Sequence, residues 1–230
     1  MAKVLAIPDL HCPFQHPDAF RFLRAVKNKY KPNQVVCLGD EIDAHALGRW
    51  TTDADGYSPG HELELALTEL KKLYKIFPKV MVCTSNHTVR PLKKAFEAGI
   101  PKRFLKEYHE FLEAPNGWSW QDRWEIDKVI YEHGEHVSGQ NGAAKAALQN
   151  MQSTTVGHIH SFAGILYIGS HNQLIFAFNV GCLIDKTQYA FEYGKKIRTK
   201  PILGCGIIDN GVPHFIPMKL KKNGNWIGKL

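Results

Sequence analysis

The chain predicts an α/β fold, because short apolar strands alternate with amphipathic helices through its first 84 residues. Residues 3–8 and 34–38 are apolar runs typical of buried strands, and residues 17–30 between them carry apolar side chains at helical spacing. Residues 62–77 form the clearest amphipathic helix pattern, and the apolar run at 79–84 supplies a third strand. Strands joined by helices in this order predict a parallel sheet at the start of the chain.

Beyond residue 84 the pattern becomes mostly β. Residues 90–112 are polar and helical with a break at Pro101, and residues 114–120 form a turn-rich aromatic segment. We therefore predict a helical and aromatic cap beside the site within residues 88–128. Further strands are predicted at 129–132, 154–156, 164–168, 174–180, 202–208 and 213–218, with a helix at 142–151. No repeat or linker divides the sequence, so residues 1–230 are predicted to form one domain.

The composition is that of a basic protein without a disulfide framework. A formal net charge of +7 and a pI near 9.1 favour anionic partners such as nucleic acid or nucleotides, although a merely solvated basic surface has the same charge. The five cysteines are scattered and none forms a C-x-x-C pair, which also argues against a thiolate zinc site. No apolar run approaches the roughly 18 residues of a membrane helix. We expect a soluble, cytoplasmic protein with no membrane partner, and the sequence leaves its oligomeric state open.

Side chains that bind metal ions follow five of the predicted strands. The carboxyl ends of strands are where α/β sheets bind their ligands, so these side chains are predicted to lie at one edge. Carboxylate, imidazole and amide groups suit manganese, iron or zinc. None of these side chains is a cysteine, which argues against an iron–sulfur or other soft-metal site. The residues concerned are Asp9, His11, Asp40, Asn86, His87, His133, His158 and His160.

The order of these residues resembles the calcineurin-like metallophosphoesterase family. The family pattern is D-x-H, G-D-x-x-D, G-N-H-[DE], a lone H and G-H-x-H, and the matching segments here are residues 9–11, 39–43, 85–88, 133 and 157–160. Each element alone is common by chance. All five in the family order are specific, and they place the metal site between residues 9 and 160.

The resemblance implies a four-layer α/β/β/α sandwich of two mixed sheets and a site for two divalent metal ions. Manganese is the first expectation for the metal, with iron, zinc and nickel as alternatives, because the same donors accept all of them. By resemblance, Asp9, His11 and His160 bind one ion, Asn86, His133 and His158 bind the other, and Asp40 bridges the two.

The resemblance also implies roles for residues that do not bind metal. His87 is expected to contact the phosphate or protonate the leaving oxygen, with Asp43 orienting its ring. Arg90 is near enough in sequence to bind a substrate phosphate, although a solvated arginine on a helix face is an equal alternative. Two positions depart from the family pattern: Ser85 replaces glycine and Thr88 replaces the acidic residue.

The function predicted is hydrolysis of a phosphate ester by a water that two metal ions activate. The basic composition favours a phosphodiester, in nucleic acid or a nucleotide, over the alternative of a phosphomonoesterase or phosphoprotein phosphatase. A non-catalytic interaction module on the same fold is a further alternative, less favoured because His87 and the predicted metal ligands are all present. Basic clusters near residues 93–106, 195–200 and 219–229, together with Trp118, Trp120 and Trp226, are either a nucleic-acid surface or ordinary solvated faces.

Competing motifs do not support another enzyme class. Residues 56–60 match the G-x-S-x-G pattern of a serine hydrolase, but residues 50–55 before them look like a loop rather than a strand. Pro59 also lacks the backbone N–H that would stabilise an oxyanion, so residues 56–60 are predicted to be a loop or turn. No G-x-x-x-x-G-K-[ST] loop is present. Glu135 and His136 belong to no motif and are predicted to lie on the surface.

Overall fold

The computed structural model describes residues 1–48, 55–188, 190 and 199–230. Within these ranges the chain forms two β-sheets and helices that cover their outer faces. In chain order the elements are β1 (Lys3–Ile7), α1 (Ala19–Tyr30), β2 (Gln34–Cys37), α2 (Pro59–Ile76), β3 (Val80–Cys83), α3 (Arg90–Glu97), α4 (Tyr108–Phe111), β4 (Trp118–Gln121), β5 (Arg123–Ile126), β6 (Val129–Glu132), α5 (Gly142–Asn150), β7 (Ser153–Val156), β8 (Gly164–Gly169), β9 (Leu174–Asn179), β10 (Gly204–Asp209) and β11 (Val212–Pro217). Short 3₁₀ turns occupy His45–Leu47 and Lys102–Phe104. Most of the predicted elements are confirmed to within a few residues.

Both sheets are mixed. The first has the order β11-β10-β1-β2-β3-β4, in which β1 to β4 run parallel, β10 pairs antiparallel with β1, and β11 pairs antiparallel with β10. The second has the order β5-β6-β7-β9-β8, with β6, β7 and β9 parallel. The strands predicted at the start of the chain are therefore parallel to one another. Strands β10 and β11, from the C-terminal part, complete this sheet through antiparallel pairing.

Three apolar clusters separate four layers. Phe22 of α1 and Leu70 of α2 pack on the outer face of the first sheet. Val36 of β2 and Phe178 of β9 belong to a second cluster, between the two sheets. Ala146 of α5 packs on the outer face of the second sheet. Helices, sheet, sheet and helix follow one another, which confirms the α/β/β/α sandwich.

The aromatic segment at 114–120 is only partly the predicted turn, because residues 116–117 form a turn but Trp118–Gln121 is a strand. Trp118–Gln121 pairs in parallel with β3, and the indole N–H of Trp118 donates to the Phe77 carbonyl at 2.9 Å. Trp118 and Trp226 are buried, and Trp120 is half-buried with its indole N–H on Glu41. The idea that these three tryptophans form a surface for stacking nucleic-acid bases is therefore wrong, because packing within the fold uses their rings.

The G-x-S-x-G segment is the start of a helix rather than a loop. Ser58 is the N-cap of α2, and its side-chain oxygen accepts a hydrogen bond from the His61 N–H at 3.3 Å. Pro59 fits the first helical position because its missing N–H would have no partner there. Helix α2 therefore begins three residues before the predicted start, and Ser58 serves as a cap.

Residues 88–128 contain both helices and strands. Helices α3 and α4 fall in the first part, whereas β4 and β5 belong to the two sheets. Whether the helical part acts as a cap stays a prediction. The predicted loop at 50–54 and the basic residues Lys195, Lys196 and Arg198 lie outside the described residues. Among the helices that the structure describes, none is both long and apolar enough to cross a membrane.

Candidate metal centre

All seven predicted metal-binding side chains meet at the carboxyl ends of strands from both sheets. The loop after β1 carries Asp9 and His11, and the loops after β2 and β3 carry Asp40 and Asn86. His133 follows β6 in the second sheet, and the loop after β7 carries His158 and His160. The sequence predicted one edge, and the structure forms that edge from three strands of one sheet and two of the other.

The first group of donors consists of Asp9, His11, Asp40 and His160, whose candidate ligand atoms all lie within 4.8 Å of one another. Nε2 of His160 is 2.9 Å from Oδ2 of Asp9 and 3.3 Å from Nε2 of His11. Nε2 of His11 is also 3.3 Å from Oδ2 of Asp40. This group can hold one metal ion.

The second group consists of Asp40, His133 and His158, with Asn86 beside them. Nε2 of His133 lies 2.7 Å from Oδ1 of Asn86, 3.1 Å from Nδ1 of His158 and 3.5 Å from Oδ2 of Asp40. Oδ2 of Asp40 therefore faces both groups. The arrangement can hold a second ion, with Asp40 between the two.

Hydrogen bonds at the back of two imidazole rings show that lone pairs point into the site. Nδ1 of His133 donates to the Leu38 carbonyl at 2.8 Å, and Nδ1 of His11 donates to Oδ1 of Asp43 at 2.5 Å. When the two rings are neutral, as metal ligands are, each Nε2 is unprotonated and cannot donate a hydrogen to the oxygens and nitrogens around it. Converging lone pairs of this kind repel one another unless a cation lies among them, so the donor set fits divalent metal ions.

The backbone around the site adopts conformations that most residues avoid. His11, Asp40 and His158 have φ values of +52°, +48° and +62°, in the left-handed region. Strained backbone of this kind concentrates at functional sites, where the surrounding structure holds it. Gly157 of the G-H-x-H motif has a separate reason to lack a side chain, because a Cβ there would collide with Oδ1 of Asp9.

The electrostatic field of the site favours positive charge. Burial lowers the pKa of His11, but the carboxylates of Asp40 and Asp43 raise it to about 10. Burial also acts on Asp40, yet the surrounding histidines hold the pKa of its carboxyl group well below the usual value. Burial, followed by the nearby His133, lowers the pKa of His158 to about 4. The carboxylates that attract a proton to His11 attract a metal cation in the same way, and a cation bound there takes the place of that proton.

His87 and Arg90 are in contact beside the two donor groups. Nδ1 of His87 is 2.7 Å from the carbonyl oxygen of Asp43 and 3.1 Å from its Oδ1. Nη2 of Arg90 lies 3.0 Å from Nε2 of His87, and its Nη1 donates to the carbonyls of Asp43 and Ala44 at 2.8 and 3.3 Å. The alternative of a solvated Arg90 on a helix face is therefore wrong. Asp43 contacts His87, as predicted, and it also contacts His11, which sequence reasoning missed.

Residues outside the motifs behave differently. Glu135 and His136 are exposed, as predicted. Glu41, which no pattern singled out, is fully buried beside Asp40 and accepts hydrogen bonds from Thr88 and Trp120. The sequence contains one signal for Glu41, an acidic residue directly next to a motif aspartate, and that signal is too common to be used alone.

The fold and the site together define a metal-dependent hydrolase: a four-layer sandwich that gathers carboxylate, imidazole and amide donors at its strand ends. The chain belongs to the calcineurin-like phosphoesterase family, whose sequence model matches residues 2–194. No curated protein sequence matches the chain.

Solved structures with a similar fold are distant in sequence. The phosphoesterase Yfce from E. coli is 18% identical with a TM-score of 0.49, and the match covers 98% of this chain and 96% of that one. Vps29 from Chaetomium thermophilum is 12% identical with a TM-score of 0.44, covering 98% and 94%. A metallophosphoesterase from Sphaerobacter thermophilus is 16% identical with a TM-score of 0.44, covering 96% and 90%. The family assignment depends on the sequence model, not on these likenesses.

Proposed function

We propose that this chain hydrolyses phosphate esters by means of two divalent metal ions. The observation that supports this function is the position of Oδ2 of Asp40, which faces both donor groups within 3.5 Å of His11 Nε2 and His133 Nε2. When bound, two such ions supply the Lewis acidity that activates a water and neutralises charge on a transferring phosphoryl group. Manganese is the first candidate, with iron, zinc or nickel as alternatives.

Each donor has a proposed place in this centre. The assignment is Asp9, His11 and His160 to the first ion, Asn86, His133 and His158 to the second, and Asp40 to both. The back-side hydrogen bonds of His11 and His133 fix which ring nitrogen faces inward, as second-layer partners of metal ligands commonly do. The same hydrogen bonds hold both rings in place before any ion arrives.

His87 is proposed to deliver a proton to the leaving oxygen, and Arg90 to bind the substrate phosphate. In the structure Arg90 donates to Nε2 of His87, so this nitrogen is an acceptor. A phosphate oxygen is a stronger acceptor than an imidazole nitrogen and draws the guanidinium away, which leaves Nε2 free to take a proton from solvent and pass it to the leaving oxygen. Oδ1 of Asp43, 3.1 Å from Nδ1, then stabilises the imidazolium that forms.

We favour a phosphodiester in nucleic acid or a nucleotide as the substrate. Besides the net charge of +7, exposed aromatic rings support this choice. Phe96 and Phe104 are 51% and 74% exposed, and they lie among the basic residues Lys93, Lys94 and Arg103. Cationic side chains that track a phosphate backbone and ring faces that stack on bases are how single strands are bound. A phosphomonoester, including a phosphoprotein, is the alternative.

The test is turnover by protein that has been stripped of metal with a chelator and reloaded with a single ion. Suitable substrates are bis-p-nitrophenyl phosphate, p-nitrophenyl phosphate, a phosphopeptide, and labelled single-stranded and duplex DNA. Wild type is expected to hydrolyse the diesters, while Asp40→Asn does not. Hydrolysis of monoesters alone contradicts the diester preference. No hydrolysis of any ester by metal-loaded wild type contradicts the whole proposal and favours a non-catalytic module.

A further inference from the structure

A buried chain of hydrogen bonds connects the backbone of Asp40 to the carboxylate of Glu41 through two hydroxyl groups. The Asp40 N–H donates to Oγ of Ser85 at 2.9 Å, Oγ of Ser85 lies 2.8 Å from Oγ1 of Thr88, and Oγ1 of Thr88 donates to Oε2 of Glu41 at 2.9 Å. Ser85, Thr88 and Glu41 are at most 2% exposed. The indole N–H of Trp120 donates to the other Glu41 oxygen at 3.0 Å.

The direction of every bond in this chain follows from the number of hydrogens available. A hydroxyl group has one hydrogen to donate. When Glu41 is ionised, Thr88 gives its hydrogen to that carboxylate, so Thr88 must accept the hydrogen of Ser85, and Ser85 in turn accepts from the Asp40 N–H. Each Glu41 oxygen has a donor of its own. A fully satisfied buried network of this kind permits one arrangement and penalises any other, because a displaced member would be left without a partner.

The network begins at Asp40 in the candidate metal centre and passes through the two residues that flank Asn86 and His87. Asp40 has a left-handed backbone with φ of +48°, which needs support from its surroundings. Its carbonyl accepts from the His11 N–H at 2.8 Å, and its Oδ1 accepts from the His87 N–H at 3.3 Å. Residues 85 and 88 flank Asn86 and His87, which lie in the turn over residues 86–89. The network thus ties the strand end that presents Asp40 to the turn that presents the next two site residues.

We propose that Glu41, Thr88 and Ser85 are positioning residues that hold Asp40 and residues 85–88 in the geometry that binds metal. The family pattern has an acidic residue at position 88. In this chain the carboxylate comes instead from position 41, and the Thr88 hydroxyl extends its reach to Ser85. Ser85 has room because Gly39 has no side chain, since a Cβ at 39 would be 2.6 Å from the Ser85 Cβ. This inference rests on the proposed metal centre.

The experiment compares Thr88→Val, which keeps the shape but removes the hydroxyl, with Thr88→Ser, which keeps the hydroxyl. Three quantities are measured: Mn²⁺ affinity of chelator-stripped protein by calorimetry, kcat and KM separately, and the thermal midpoint Tm. Thr88→Val is expected to weaken Mn²⁺ binding by about 10- to 100-fold and to lower kcat with little change in KM, and Thr88→Ser to restore both to within about threefold. Ser85→Ala, a smaller change, is expected to repeat the loss and replaces Thr88→Val if that variant does not fold.

Thr154→Val is the matched control. Thr154 is fully buried, and its hydroxyl donates to the Gln152 carbonyl at 3.0 Å and accepts from Asn150 at 3.2 Å, in a network that does not include the proposed metal ligands. This variant is expected to lower Tm and leave Mn²⁺ affinity unchanged. If Thr88→Val behaves in the same way, or if Thr88→Ser fails to rescue, the network is structural only and the inference is overturned. If wild type binds Mn²⁺ but hydrolyses no ester, only the proposed function is contradicted. The Mn²⁺ affinities of the variants still test this inference.

Discussion

Nη2 of Arg90 lies 3.0 Å from Nε2 of His87, so the two side chains proposed to handle the substrate are already in contact. Arg90 is anchored from behind by the Asp43 carbonyl, which also accepts from Nδ1 of His87. One backbone oxygen therefore sets the position of both side chains. Their contact uses Nε2 of His87 as a hydrogen-bond acceptor.

Replacing Arg90 tests whether this contact serves the substrate. Arg90→Met is expected to lower kcat/KM by about 10- to 100-fold, because a hydrogen bond to a charged group contributes roughly 1.5–3 kcal/mol. Metal affinity is expected to stay unchanged, since Arg90 contacts none of the proposed metal ligands directly. Arg24→Met, at an exposed position on α1, is the control. Equal kcat/KM in the two variants means that Arg90 does not bind the phosphate.

Replacing His87 tests the proposed proton donor. His87→Ala is expected to lower kcat by about 10²- to 10⁴-fold, the usual contribution of general acid–base catalysis, while two metal ions remain bound. The measurements are steady-state kinetics and metal content. His136→Ala, which changes an exposed histidine, is expected to keep full activity. Unchanged turnover in His87→Ala removes this residue from the mechanism.

Asp43 contacts two site histidines, so its loss has two effects. Oδ1 of Asp43 lies 2.5 Å from Nδ1 of His11 and 3.1 Å from Nδ1 of His87. Asp43→Asn is expected to weaken metal binding by about 10- to 100-fold through His11 and also to lower kcat through His87. Calorimetry and kinetics separate the two losses. Asp209→Asn, which changes a surface carboxylate paired with Lys3, is the control. Full metal affinity in Asp43→Asn contradicts the role of Asp43 in positioning His11.

Replacing Gly157 tests the first metal-binding group without removing any of its ligand side chains. A Cβ at position 157 would collide with Oδ1 of Asp9, so Gly157→Ala is expected to displace Asp9 and weaken the first metal-binding group. The expected result is a reduced metal content, near one ion per chain, with the fold retained by circular dichroism. Gly60→Ala adds the same methyl group where nothing lies within 4 Å, and it is expected to bind metal as wild type does. Two ions bound at wild-type affinity in Gly157→Ala contradict the assignment of Asp9.

Much of the fold was predictable because strands and helices in this chain have distinct hydrophobic periods. The strand at 129–132 was predicted with the bounds that the structure gives, since three apolar or aromatic residues, Val129 to Tyr131, are enclosed by the charged Lys128 and Glu132. Strand β4 was not predictable in this way. Asn116 and Gly117 before it favour a turn, and only its pairing with β3 makes Trp118–Gln121 a strand.

The types of side chain at the candidate site were also predictable, but their contacts were not. Aspartate and histidine at strand ends indicated a metal site, because the carboxyl ends of strands gather ligands. The contact of Arg90 with His87, the second partner of Asp43 and the burial of Glu41 depend on how the loops after β1, β2 and β3 pack against one another. Side-chain directions between these loops leave no trace in residue spacing.

The donors of the candidate centre come from both sheets: four extend from loops of the first, Asp9, His11, Asp40 and Asn86, and three histidines come from the second. The two sheets therefore have to pack together before the proposed centre can bind metal, and they cannot separate without releasing it. An ion bound there would link the two sheets across their interface. Metal binding would then mainly slow unfolding, and it would contribute little to the rate at which the sheets first form.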